Sequence, residues 1–156
     1  MTSPVIHQNS VVSLREITQD TLRSILRLQV GPEQTQNVAP NAVSLAEALF
    51  EPKAWYRAIY ADETPVGFMM TFEDPEKPTY YLWRYMIGAE YQGNGFGRRA
   101  LELLIDRIKQ QPNATEMLLS AVPGPHSPIL FYERLGFVET GEVDHGENVM
   151  KLVFAD

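Results

Sequence analysis

Tyr80-Tyr81-Leu82-Trp83-Arg84-Tyr85-Met86-Ile87, followed at once by Tyr91-Gln92-Gly93-Asn94-Gly95-Phe96-Gly97-Arg98-Arg99, is the stretch whose reading decides the fold. The first run is strand-like. The second is a glycine-rich loop that opens an amphipathic helix over roughly residues 95–110, where Leu101, Leu104, Ile105 and Ile108 recur at helical spacing and face a core. A strand, a glycine loop and a helix in this order suit a phosphate-bearing ligand. The first N–H groups of a helix lack intrahelical partners and carry about half a positive charge. Glycines let the backbone approach a bulky anion. Arg98 and Arg99 add charge at the first turn.

Gly95-Phe96-Gly97-Arg98-Arg99-Ala100 also fits the dinucleotide fingerprint G-x-G-x-x-G/A, with Glu116 near the position of its acidic residue. That reading fails on context. A dinucleotide fold needs two mononucleotide-binding halves, whereas only 59 residues follow Gly97. They read as strand, short helix and two strands.

Outward from the loop, the chain reads β-α-α-β-β-β-α-β-α-β-β. Residues 10–17 alternate as a first strand. A helix capped by Thr18 or Asp20 runs to about Gln29, with Leu22, Ile25 and Leu26 on one face, and Gly31-Pro32 breaks it. A second helix is expected from about Ser44 to Phe50, capped by Asn41 or Ser44 and stopped by Pro52. Trp55–Tyr60 and Pro65–Phe72 read as strands around a turn at residues 61–64, with a loop over residues 73–78. Residues 116–122 read as a buried strand and 127–135 as a short helix ended by Gly136. The last two strands form a hairpin across His145-Gly146.

The 156-residue length fits one domain over residues 1–156, with chain enough for a sizeable core. No apolar run reaches the length of a membrane span. Residues 1–8 lack the basic and apolar parts of a secretory leader, so a cytoplasmic location is expected. The absence of cysteine removes disulfides and thiol catalysis. A net charge of −7 disfavours nucleic acid as a partner and suits a cationic small molecule. His7, His126 and His145 show no metal-ligand spacing, so no metal is expected.

Gln92-x-x-Gly95-x-Gly97 resembles the pyrophosphate-binding motif of the GNAT superfamily of N-acetyltransferases, Gln/Arg-x-x-Gly-x-Gly/Ala. Phe131-Tyr132-Glu133-Arg134-Leu135-Gly136-Phe137 is similar to that family's Tyr-x-x-x-Gly-Phe segment. The resemblance covers residues 80–140. It implies an α/β fold: a mixed, mostly antiparallel central sheet of about seven strands with helices on both faces. It implies acetyl-CoA as co-substrate, held by Gln92, Gly93, Asn94, Gly95, Phe96, Gly97 and Arg98. Tyr85, Met86 and Ile87 would pair with the pantetheine arm. It implies Tyr132 as both a coenzyme contact and the acid for the leaving thiolate, since a phenol can protonate it. The family's Asn and Ala upstream of this tyrosine are replaced by Pro125 and Pro128.

The general base is left open among Glu73, Asp74, Glu76, Glu142 and Asp144, with Glu73 and Glu142 placed first. Within the superfamily, three segments resemble bacterial spermine/spermidine (diamine) acetyltransferases: residues 36–48, Trp83-Arg84-Tyr85-Met86-Ile87, and the tail from Gly141 to Met150. The resemblance implies a polycationic primary amine, met by Glu33, Glu47, Glu51, Glu73, Asp74 and Glu76 and by the aromatics Trp55, Tyr80, Tyr81 and Trp83. A peptide or protein amine, an aminoglycoside, or a coenzyme-sensing role without turnover are the alternatives. Homodimers are common in the family.

Overall fold

The computed structural model describes residues 6–35 and 38–155. Gln36 and Asn37, part of the polyamine-like segment, lie outside the described residues. Within the described residues seven strands form one sheet: β1 (Val12–Arg15), β2 (Ala54–Ala61), β3 (Thr64–Asp74), β4 (Thr79–Ile87), β5 (Glu116–Ala121), β6 (Val138–Asp144) and β7 (Glu147–Val153). The spatial order is β1-β2-β3-β4-β5-β7-β6. All neighbours are antiparallel except β4 and β5. The expected mixed, mostly antiparallel sheet is therefore present. Among the described residues four α-helices cover it: α1 (Leu22–Leu26), α2 (Asn41–Ala48), α3 (Phe96–Lys109) and α4 (Ile129–Arg134).

Strand side chains alternate faces, and the core divides accordingly. Ile59, Ala61, Val66 and Met69 join the buried face of α3 (Phe96, Ala100, Leu101, Leu104, Ile105, Ile108) on one side. Ala58, Tyr60, Phe68 and Met70 join Ile25 of α1 and Leu45 of α2 on the other. Helices thus lie on both faces.

Strand β4 changes phase midway. Tyr80 and Leu82 face the α3 side, but beyond Trp83 it is Tyr85 and Ile87 that do so. The cause is a bulge: Met70 pairs with Arg84 and Thr71 with Leu82, leaving Trp83 as the extra residue. One added residue flips every later side chain and increases local twist. Pairing of β4 with β5 covers only Tyr81↔Leu118 and Leu82↔Leu119, ending at the bulge. The two strands then part, and the gap holds the site.

Several boundaries differ from the sequence expectation. Helix α1 is only Leu22–Leu26, and Leu26 is exposed while Ile25 is fully buried. Helix α2 begins at Asn41 with Pro40 as its N-cap. The Asn41 side chain caps nothing; its Nδ2 donates to the Ile25 carbonyl at 2.9 Å and ties α2 to α1. Glu73 and Asp74 belong to β3 rather than to the following loop.

Candidate active site

The glycine loop adopts the geometry its composition allows. Gly93 (φ 86°) and Gly95 (φ 80°) are in the left-handed region, where a side chain strains the backbone. Nothing lies within 4 Å of where a Cβ would stand on either, so the concave side of the loop is open backbone. Gly95 is the N-cap of α3 and supplies no side-chain cap. The N–H groups of Phe96, Gly97 and Arg98 therefore emerge at the helix start without intrahelical partners. This is a cradle for an anion.

The flanking side chains divide between holding the loop and lining the cleft. Gln92 Nε2 donates to the Ile87 carbonyl and to Gln34 Oε1, each at 2.9 Å, fixing the loop to the end of β4 and to the segment before α2. Asn94 Nδ2 donates to the Tyr91 carbonyl. Phe96 is buried in the core, so its contribution at the loop is its backbone. Arg98 lines the cleft and pairs with Glu102. Arg99 does not: it donates to the Ser10 carbonyl at 2.6 Å and to the Asn94 and Gly95 carbonyls, with its guanidinium over Phe96, so it braces the loop while Arg98 faces the cleft.

The cradle opens into a cavity of about 450 Å³, lined among others by Tyr85, Met86, Ile87, Gly93, Gly95, Gly97, His126 and Tyr132. A size of this order suits a sizeable organic ligand. A second cleft of about 680 Å³ lies against the bulged stretch of β4 and the β6–β7 hairpin, lined by Tyr81, Trp83, Arg84, Ser120, Asp144, His145 and Glu147 among others. Tyr85, Tyr132 and Val38 belong to both walls, so the two clefts meet there.

Tyr132 is held rigidly at that junction. It lies on α4, which closes in a Schellman motif: the Phe137 N–H bonds the Tyr132 carbonyl at 3.1 Å and the Gly136 N–H bonds the Glu133 carbonyl at 3.0 Å. Gly136 takes the required positive φ of 104°. The Tyr132 ring packs against Phe131, Phe137 and Tyr85, with ring centroids 5.5, 6.0 and 6.4 Å away. Burial pushes its hydroxyl far above the ordinary phenol range, and the negative charge of Glu147 adds to this. Burial also raises Tyr85 well above that range, with Tyr132 as a further contributor. Both phenols keep their protons at neutral pH.

The two carboxylates placed first as bases are not brought to this junction. Glu73 pairs with Tyr80 across the sheet, at the opposite end of β4 from Ile87. Its carboxylate accepts from Arg107 at 2.6 and 3.1 Å and from Thr71 Oγ1 at 2.6 Å. That arginine lies 3.7 Å from the centre of the Trp55 ring, so the group is a packed ion pair on a distant part of the sheet. Glu142 is an exposed residue of β6 and lines neither cleft. Two more expected polycation contacts are neutralised: Glu47 by Arg84 at 3.2 Å and Asp74 by Lys53 at 2.9 Å. The carboxylates that do line the second cleft are Asp144 and Glu147. Asp144 was among the candidates. Glu147 was visible only as part of the family-like tail, because nothing local marks which face of a hairpin strand will meet α4. Among the described residues no group of three His, Asp or Glu could hold a metal.

Residues 14–137 match the model of the acetyltransferase (GNAT) family. The chain is 29% identical over 148 residues to the spermine/spermidine N(1)-acetyltransferase of Bacillus subtilis (strain 168), an alignment covering 89% of this chain and 96% of that one. Among solved structures it is similar to a domain from Methanocaldococcus jannaschii DSM 2661, with a TM-score of 0.76 at 16% identity over 94% of this chain and all of that one. It also resembles the PaiA N-acetyltransferase of Thermoplasma acidophilum in complex with coenzyme A, with a TM-score of 0.67 at 15% identity over 92% and 99%. With the cradle, the parted strands and the family match in agreement, this chain belongs to the GNAT family of N-acetyltransferases.

Proposed function

We propose that the chain binds acetyl-CoA in the first cleft and transfers its acetyl group to a primary amine of a polycationic small molecule, such as spermidine or spermine, in the second. The observation that carries this reading is the junction: a glycine cradle for phosphates on one side, a carboxylate-bearing cleft on the other, and a buried tyrosine common to both walls. Two clefts meeting at one point suit direct attack in a ternary complex. The similarity to a spermine/spermidine acetyltransferase supports the choice of amine.

The residues fit the ligand. Open backbone at Gly93 and Gly95 and the N–H groups of Phe96 to Arg98 would hold the pyrophosphate. The edge of β4 beyond its bulge, at Tyr85, Met86 and Ile87, faces the gap left by β5 and would hold the pantetheine arm. Acetyl-CoA supplies the thioester. Tyr132 supplies the proton for the departing sulfur. The desolvation that raises the phenol's proton affinity also raises that of a thiolate formed beside it, so the two remain matched.

The test is thiol release from acetyl-CoA against spermine, spermidine, putrescine, lysine-bearing and free N-terminal peptides, an aminoglycoside and a diamino acid. The diamino acid is included because Arg84 places a guanidinium in the same cleft, its Nε–H buried without a partner. Saturable turnover with spermidine or spermine supports the reading. Turnover only with another acceptor replaces the substrate. Tight acetyl-CoA binding with no turnover favours a coenzyme sensor.

A further inference from the structure

Two carboxylates line the second cleft, Asp144 and Glu147, and only the Glu147 carboxylate has neither an ion pair nor a hydrogen bond among the described residues. Glu147 opens β7, opposite Asp144 across the hairpin, and is half-buried. It lines the cleft with Tyr81, Ser120 and Tyr132. The other carboxylates nearby have partners: Glu47 has Arg84, and Asp144 lies 2.7 Å from Nδ1 of His145. Glu147 has no ion-pair partner among the described residues. A carboxylate on a cleft wall without a cation of its own is available to a cationic ligand. Its charge reaches two phenols on different elements, raising Tyr132 on α4 and contributing to the rise of Tyr81 on β4. Among the described residues the one guanidinium in the cleft, that of Arg84, is already engaged by Glu47.

Resting on the reading of this cleft as the acceptor side, we propose that Glu147 determines acceptor specificity: its carboxylate binds the second, non-reacting ammonium of a diamine whose reacting nitrogen lies at Tyr132. Selection of a multiply charged amine then depends on one placed carboxylate rather than on the overall acidity of the chain. A monoamine leaves Glu147 uncompensated and binds more weakly. Because the contact is made equally before and during transfer, it acts on KM rather than on kcat.

The experiment compares putrescine with a monoamine of equal chain length, using wild type, Glu147→Gln and Glu147→Asp. Glu116→Gln, with the same change in net charge at the start of β5, is the control. Wild type prefers the diamine. Glu147→Gln raises the diamine KM about tenfold or more and lowers the diamine-to-monoamine ratio of kcat/KM by a similar factor, because any effect through Tyr132 falls on both amines alike. Glu147→Asp falls between. An unchanged diamine KM in Glu147→Gln overturns the inference, as does an equal rise in Glu116→Gln, which would assign selection to bulk charge. Calorimetric affinity for acetyl-CoA shows that each variant is folded; if Glu147→Gln is not, the diamine KM of Glu147→Asp decides. A wild type that binds acetyl-CoA but acetylates no amine overturns the acceptor reading, and the inference with it. A wild type that prefers diamines beside an indifferent Glu147→Gln overturns the inference alone.

Discussion

Gly97 is required for a reason separate from the flexibility of the loop. It lies in regular helix, so its conformation is open to any residue, but a Cβ there would collide with the Tyr85 hydroxyl. Gly97→Ala should lower stability by about 1–3 kcal/mol through overpacking and weaken acetyl-CoA binding. Adding Tyr85→Phe removes the colliding oxygen and should recover much of both losses, as thermal unfolding and calorimetry would show. No recovery would place the constraint on the ligand side of the helix instead. Tyr132 raises a different question, since its ring contributes to the core as well as to the cleft. Tyr132→Phe keeps the ring and removes the proton. We expect kcat to fall by about 10²–10⁴-fold with acetyl-CoA affinity within a few-fold of wild type. Full turnover would confine Tyr132 to packing.

At the scale of elements, the bulge in β4 turns a regular sheet into one with a gap. It flips the strand's phase at Trp83 and coincides with the end of the β4–β5 ladder. Residues before it make core and sheet contacts: Tyr80 is buried and its hydroxyl donates to the Pro112 carbonyl at 2.6 Å. Tyr81, Trp83, Arg84 and Tyr85, around and after it, line the clefts. Glu73 lies on the regular part of β3, and its role follows from that. Glu73→Gln should lower stability by about 1–3 kcal/mol by weakening its charge-assisted bonds to Arg107, while kcat and KM stay at wild-type values. A large fall in kcat with stability intact would return Glu73 to the chemistry.

For the whole molecule, the perturbed groups give a pH profile of stability. Asp74 is held below the usual carboxylate range first by its hydrogen bond to Lys53. Its contribution is present above the unfolded carboxylate pKa of about 3.9 and is lost as pH falls through the lower folded value. Tyr85 and Tyr132 are shifted upward by burial. Their contribution is complete below the unfolded phenol pKa of about 10 and is lost as pH rises toward the higher folded values. The melting temperature should therefore fall below about pH 4 and again above about pH 10, with a shallower alkaline fall in Tyr85→Phe. An alkaline limb that Tyr85→Phe leaves unaltered would assign it to other groups.

The sequence by itself determined the parts that depend on neighbours in the chain. Glycine spacing gave the cradle, helical periodicity gave the buried face of α3, the Tyr-x-x-x-Gly-Phe segment gave the α4 closure, and His145-Gly146 gave the last hairpin, where both residues take positive φ. These features are set within a few residues by backbone sterics and side-chain period. Tertiary structure alone decided which carboxylates remain unpaired. The partners of Glu73, Glu47 and Asp74 are 34, 37 and 21 residues away, and no local pattern encodes such a meeting. It also decided the phase of β4, because a bulge forms where one strand must accommodate another's register. The glycine cradle was legible from one loop, whereas the second cleft was not, because its wall is assembled from β4, β5, α4 and the β6–β7 hairpin.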